Sequence, residues 1–240
     1  MPHLILSDLH GNLEALEAVL ADAEGLYDGI LCLGDLVGYG ADPNAIVDWT
    51  RKNVPVIIRG NHDKAGAGLD DLETFSPLAR ASALWTRTVL TPESRSYLER
   101  LPRGPLPYEG IDLVHGSPAD EDEYLMSTED ALLVRAYLGA RATFFGHTHI
   151  QGGFLLAQRA AMRIPAAGVL QIEQKYFYLV NPGSVGQPRD GDPRAAYALY
   201  SPEDRTVEFR RAAYDVDRAA GKIRAAGLPD FLAARLHEGI

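Results

Sequence analysis

The 240-residue chain is 46% hydrophobic and 23% charged, an ordinary globular balance with length for one sizeable α/β domain or at most two small ones. Its formal net charge of −10, from 33 acidic against 23 basic residues, argues against broad binding to nucleic acid or an anionic membrane. The single cysteine, Cys32, sits in an apolar run and has no internal partner, no long apolar stretch is present, and Asp8 leaves no room for a signal peptide, so the expected compartment is the reducing cytoplasm.

His3-Leu4-Ile5-Leu6-Ser7 is apolar without alternation, as a strand covered on both faces should be. After Asp8-Leu9-His10-Gly11-Asn12, the residues Leu13, Leu16, Val19 and Leu20 fall at helical spacing, with Asn12 placed either to cap the helix or to support the polar cluster. Ile30 to Leu33 reads as a strand leading into Gly34-Asp35-Leu36-Val37-Gly38-Tyr39-Gly40. Asp42 before Pro43 predicts a helix start, followed by buried Ile46, Val47 and Trp49. Val56-Ile57-Ile58-Arg59 then runs into Gly60-Asn61-His62-Asp63, completing a βαβ rhythm that predicts a mostly parallel sheet. Residues 76–101 break this rhythm as a helical excursion near the mouth of the site, one helix through Leu78, Trp85 and Val89 and another from Thr91-Pro92-Glu93 to Leu101.

Strands around Leu106-Pro107-Tyr108 and Ile111 to Val114 follow, ending at His115-Gly116. Residues 117–124 form an acidic loop, and Ser127 with Asp130 predicts a capping box for a helix through Leu132, Leu133 and Tyr137. Thr143-Phe144-Phe145 leads into Gly146-His147-Thr148-His149. The remainder is mainly β, at 151–156, 169–172, 177–180, 195–200 and 206–211, suggesting a second sheet packed on the first, with 1–240 as one domain. From Asp215 the pattern is helical again, placed to cover the outside of a sheet.

Five apolar runs thus end in metal-type ligands, and five of the seven histidines lie in these clusters. A mixed set of His, Asp and Asn suits Mn²⁺, Fe or Zn²⁺ better than Ca²⁺ or Mg²⁺, and the lack of clustered thiolates argues against a structural zinc site. The ligands are too many for one ion and enough for two, with a carboxylate such as Asp35 able to bridge; such pairs clamp a phosphoryl group and activate water for in-line attack. In open α/β sheets this chemistry belongs beyond the carboxyl ends of the strands, where all five clusters fall.

The ordered motifs Asp8-Leu9-His10, Gly34-Asp35, Gly60-Asn61-His62-Asp63, His115-Gly116 and Gly146-His147-Thr148-His149 resemble the signature of the calcineurin-like metallophosphoesterases. Asn181-Pro182-Gly183-Ser184 is similar to a segment of the small bacterial YfcE-like branch. The resemblance implies a four-layer α/β/β/α sandwich of two mixed β-sheets flanked by helices, with the site between the sheets. It implies that Asp8, His10 and His149 hold one divalent ion, Asn61, His115 and His147 the other, and Asp35 bridges them. Mn²⁺ is the expected metal, with Fe, Zn²⁺ or Ni²⁺ as alternatives. His62 is then a proton donor to the leaving group or a charge stabiliser, and Asp63 orients its imidazole and holds it protonated.

Phosphoprotein phosphatases of the superfamily carry Asp-Arg where this chain has Gly38-Tyr39. The missing Arg shifts the expectation from Ser/Thr protein phosphatase toward phosphodiesters or nucleotides. The expected partner is therefore a small phosphoester or nucleotide substrate, with phosphomonoesters or dinucleoside polyphosphates as alternatives on the same site. A non-catalytic scaffold on this fold is the rival of another class, against which the full ligand set stands. Arg59 is expected as a structural or rim charge, Tyr124 and its acidic loop as solvated, His3 and His237 as surface residues, and Trp85 and Tyr97 as core. Residues 181–186 are expected as a turn, with Gln187 or Arg189 available to close the site.

Overall fold

The computed structural model, which describes residues 2–240, begins with the expected alternation: β1 (His3–Leu6), α1 (Leu13–Asp22), β2 (Gly29–Cys32), α2 (Pro43–Asn53), β3 (Val56–Ile57) and α3 (Asn61–Ala67). Next come α4 (Pro77–Val89) and α5 (Pro92–Glu99), then β4 (Leu106–Tyr108), β5 (Ile111–Leu113), α6 (Thr128–Leu133) and β6 (Ala142–Phe144). The later chain forms β7 (Gly152–Leu156), β8 (Ala161–Ile164), β9 (Val169–Gln171), β10 (Phe177–Asn181), β11 (Ala195–Ser201) and β12 (Thr206–Ala212), and ends in α7 (Val216–Ala225) and α8 (Asp230–Glu238).

Two six-stranded sheets result, in the orders β3-β2-β1-β11-β12-β9 and β4-β5-β6-β10-β7-β8. The first is parallel through β1, β2 and β3, but β11 joins β1 antiparallel, His3 opposite Tyr200. The second is parallel through β5, β6 and β10 and antiparallel at both edges. Both sheets are therefore mixed, and the expected mostly parallel sheet holds only for its first three strands.

Side-chain alternation along the strands builds the four layers. Leu4, Leu6, Ile30 and Cys32 face outward and pack with Leu16, Val19, Ile46 and Leu98 from the helices. Ile5 and Leu31 point the other way, into a core shared with Ile111, Phe144, Tyr178 and Val180 of the second sheet. Leu179, between Tyr178 and Val180, turns outward again, onto Phe145, Phe154 and Ala131 of α6. Burying one such side chain stabilises the fold by about 1.5–3 kcal/mol, so both faces of each sheet contribute.

The helix ends mostly follow the sequence signals. Asn12, Thr91, Ser127 and Asp215 accept from the main-chain N–H of Ala15, Ser94, Asp130 and Arg218. Asp42 stands before α2 but makes no cap bond; its carboxylate pairs with Lys222 at 2.7 Å. The helix expected through Tyr137 stops at Leu133 and continues as a 3-10 turn, since Leu133 and Tyr137 face solvent and offer no apolar stripe to bury. β8, an edge strand of Ala-Met-Arg-Ile with mostly exposed side chains, carries no alternation that a sequence reading could find. His3 is half-buried and meets Glu109 at 3.1 Å, so it is not a plain surface residue, whereas His237 is exposed. Among the described residues no helix is long and apolar enough to cross a membrane.

Candidate metal centre

The C-terminal ends of β1, β2, β3, β5 and β6 converge, and Asp8, His10, Asp35, Asn61, His115, His147 and His149 come together there, each at most 8% exposed. Two ligand groups emerge: Asp8, His10, Asp35 and His149 in one, Asp35, His115 and His147 in the other, with the donor atoms of each within 4.8 Å of one another. Asp35 belongs to both. Asn61 completes the second group, its Oδ1 lying 3.1 Å from His115 Nε2.

The backbone is bent to make this possible. Asp8, His10, Asp35, His147 and His149 all have left-handed φ, between 46° and 64°, a conformation uncommon for residues other than glycine and one that costs free energy. Gly60 allows the closest approach: a Cβ there would lie 2.1 Å from Asp35 Oδ1. The segment Gly60-Asn61-His62-Asp63 is not a free turn but the cap and first turn of α3, a helix too short and too poor in apolar spacing to be read from sequence.

Three ligand imidazoles face carbonyls through Nδ1: His10 to Val37 O at 2.9 Å, His115 to Leu33 O at 2.8 Å and His149 to Gln187 O at 2.6 Å. A carbonyl only accepts, so Nδ1 donates in each, leaving Nε2 directed into the site. His10 Nε2 and His149 Nε2 are 3.1 Å apart, and Asp35 Oδ2 is buried without a hydrogen-bond partner, 3.5 Å from His10 Nε2 and 3.4 Å from His115 Nε2. Facing lone pairs and an orphaned carboxylate oxygen, buried together, fit cations as the missing partners.

The electrostatics agree. Burial opposes the charge on Asp8 and Asp35, yet His149 beside the first and His115 beside the second hold both below the usual carboxylate range. Burial pushes His10 and His149 down, and takes His147 to about 3 with His115 adding to the effect. His115 is the exception: burial works against its charge, but Asp35 and Asp8 lift it to about 10.

His62 lies at the edge of the set, its Nε2 3.0 Å from Tyr39 Oη and its Nδ1 buried without a partner. The expectation that Asp63 orients this imidazole and keeps it charged is corrected. Asp63 instead accepts main-chain N–H bonds from Asp35 and Leu36 at 2.8 Å, Gly60 at 3.0 Å and Val37 at 3.3 Å, so it braces the turn that carries Asp35. Burial, and then the neighbouring Asp35, push Asp63 up to about 7, while burial takes His62 down to about 4.

Other supports come from segments singled out in the sequence, whose partners only the fold supplies. The turn after Asn181 is structural: Asn181 donates to Gly146 O and Thr148 Oγ1, Ser184 Oγ donates to Asp8 O, and the Gln187 carbonyl fixes His149. Asn12 both caps α1 and donates to Gly186 O at 2.9 Å. Arg59 is structural, gripping Glu121 with two bonds of 2.8 and 3.0 Å, so the acidic loop is anchored instead of freely solvated. Tyr124, on that loop, is half-exposed with its ring 3.8 Å from that of His147.

Above the ligands opens a cavity of about 460 Å³, bordered by Asn61, His62 and His147 below and by Tyr39, Phe75, Tyr124, Arg189 and Arg235 above. Arg235 comes from α8, which does not merely cover a sheet: it packs through Leu232 and Leu236 with Tyr39 and with Ala79 of α4 at the cavity mouth. Nothing in the sequence marked Arg235, because its helix lies beyond every motif, some eighty residues after His149.

Comparison with known proteins matches residues 1–205 to the family model of the calcineurin-like phosphoesterase superfamily domain. Protein MJ0912 of Methanocaldococcus jannaschii is 34% identical over 247 residues, covering 98% of this chain and 97% of its own. A metallophosphoesterase from Sphaerobacter thermophilus superposes with a TM-score of 0.88 at 40% identity, covering 100% of this chain and 99% of its own. The protein PH1004 from Pyrococcus horikoshii OT3, at 23% identity and TM-score 0.82, covers 100% and 98% and shares the fold.

Proposed function

The chain belongs to the calcineurin-like phosphoesterase superfamily, and we propose that it hydrolyses phosphoesters, phosphodiesters by preference, at a centre holding two divalent ions, Mn²⁺ first among them. The observation that carries this reading is the buried, unpartnered Asp35 Oδ2 shared by two ligand groups. Asp8, His10 and His149 hold one ion in this reading, Asn61, His115 and His147 the other, and Asp35 both. Bound there, the ions supply charge neutralisation for the phosphoryl oxygens and a lowered pKa for the attacking water.

The chain's own residues do the rest. Phosphorus gains an oxygen from water, the ester P–O bond breaks with its electron pair on the leaving oxygen, and the proton lost by water is balanced by one delivered there. In this reading His62, at the edge of the ligand set, donates that proton. Burial lowers its imidazole to about 4, and an anionic phosphate alongside acts in the opposite direction, toward the protonated form that donates. Gly38-Tyr39 leaves no arginine in the turn after Asp35 to grip a monoester dianion, which supports the diester preference.

The test is a rate comparison on chelated protein reconstituted with Mn²⁺, using bis(p-nitrophenyl) phosphate and p-nitrophenyl phosphate. The diester should show the higher kcat/KM. A monoester advantage of about tenfold, 1.4 kcal/mol in transition-state binding, overturns the diester preference, and no metal-dependent turnover of either overturns the enzyme reading.

A further inference from the structure

The cavity wall carries two arginines that the ligand set does not use. Arg189 lies 5.5 Å over the Tyr39 ring, and Tyr39 in turn meets His62 with ring centres 4.4 Å apart. One of its guanidinium nitrogens, Nη2, donates to Gln187 Oε1 at 3.1 Å, but Nε is buried without a partner. Arg235 donates Nε to the main-chain oxygen of Ile240, and its guanidinium carbon is 5.7 Å from the centre of the Phe231 ring.

Three acids near them in sequence are committed elsewhere, Asp190 to Arg211, Asp192 to Arg194 and Asp230 to Arg224, and Glu238 of α8 is exposed. Among the described residues neither Arg189 nor Arg235 makes an ion pair with an Asp or Glu. Asp70 and Asp122, which also border the cavity, are engaged by Lys64 at 3.5 and 2.6 Å, so they do not supply the missing countercharge.

This pairing of like charges is built in. Gly191 N–H donates to Gly239 O at 2.9 Å, which seats the end of α8 on the loop that carries Arg189. Gly239 has a φ of 65°, and a Cβ there would lie 2.7 Å from the Asp192 backbone, so only glycine allows the approach. Burial and then Arg189 push the Arg235 guanidinium below its ordinary value, as expected of two cations facing one space. In a chain of net charge −10, two such cations at one cavity without an Asp or Glu partner form a receptor for an anion.

We infer that Arg189 and Arg235 form a second anion subsite across Tyr39 from His62, so that the preferred substrate carries a further phosphate besides the one cleaved. The inference rests on the phosphoesterase reading above and adds the substrate class to it. The second phosphate takes the place that an Asp or Glu partner would fill, and fork-shaped guanidinium groups fit its oxygens two at a time.

Two matched probes test it: thymidine 5′-(p-nitrophenyl phosphate) and the same compound bearing a 3′-phosphate, assayed on the full chain reconstituted with Mn²⁺. Binding of thymidine 5′-monophosphate and thymidine 3′,5′-bisphosphate, measured by calorimetry on the same protein, gives a readout free of turnover. The 3′-phosphate should improve both kcat/KM and Kd by about tenfold or more, the worth of one charge-assisted hydrogen bond. The ratio between paired probes should fall toward one in Arg189→Gln with Arg235→Gln, and lie between in each single variant. Taking the ratio within each variant removes any loss of folded protein. Arg51→Gln, on the far helix α2, should leave the ratio as in the wild type.

A wild-type ratio near one overturns the subsite, as does a ratio that survives the double variant. An equal loss on both probes assigns the arginines to the cleaved phosphate and also overturns it. Absence of turnover on both probes strikes the phosphoesterase reading alone, and the binding ratio then judges the subsite.

Discussion

The ligand-bearing floor of the cavity and its arginine-bearing wall hold their side chains by different means. On the floor, His10, His115 and His149 are each tied to a carbonyl at 2.6–2.9 Å, and Asp63 gathers four N–H bonds beneath Asp35. On the wall, Tyr124 is half-exposed, while Arg189 and Arg235 are incompletely bonded and come from segments 46 residues apart in sequence. A donor set for cations must be fixed before the cation arrives, because disorder there is lost affinity. A wall that recognises the remainder of a substrate has no such demand, and it can differ between relatives without disturbing the floor.

The largest break in this contrast is at Asp35, the one group common to both halves of the floor. Asp35→Asn should reduce metal content from about two ions per chain to at most one tightly held, with turnover falling to near background. Elemental analysis after reconstitution checks this. Retention of both ions would remove Asp35 from its bridging role.

Next in size is the contrast between neighbours. His62→Ala should keep its metals and lose about 10²–10⁴-fold in turnover, more for an alkoxide than for nitrophenolate, which departs without a proton. Asp63→Asn should act through the Asp35 turn instead. It turns a carboxylate oxygen into an N–H donor among main-chain donors, costing about 1–3 kcal/mol of stability in denaturant unfolding and weakening metal retention. A variant of Asp63 that kept full stability and metal content yet lost activity in the manner of His62→Ala would restore the imidazole-orienting role the structure contradicts.

The smallest effect sharpens the floor alone. In metal-free protein His115 is raised from 6.5 to about 10, so the folded chain holds this proton more tightly than the unfolded chain. Its contribution to stability is therefore complete below about pH 6.5 and lost as pH rises through about 10. A metal must displace the same proton. Loading at pH 7.5 should release close to one proton from this site, seen as a dependence of the binding enthalpy on buffer ionisation enthalpy, and His115→Gln should abolish that release.

Much of this was written in the chain. Apolar runs without alternation announced strands covered on both faces, and each motif stood at the end of one, so the convergence of Asp8, Asp35, Asn61, His115 and His147 followed from strand direction alone. The helix starts at Leu13, Pro92 and Thr128 were legible because capping is a local interaction between residues three apart. What the sequence could not decide was every contact set by distant segments. Asp63 looks like a partner for the His beside it, but the helical first turn aims its carboxylate at the 35–37 main chain. Arg235 carries no motif and becomes part of the cavity only because Gly239 docks on the loop after Arg189. Local chemistry is encoded by neighbours in the chain, whereas a cavity wall is assembled by packing between elements far apart in it, and only the folded protein brings those together.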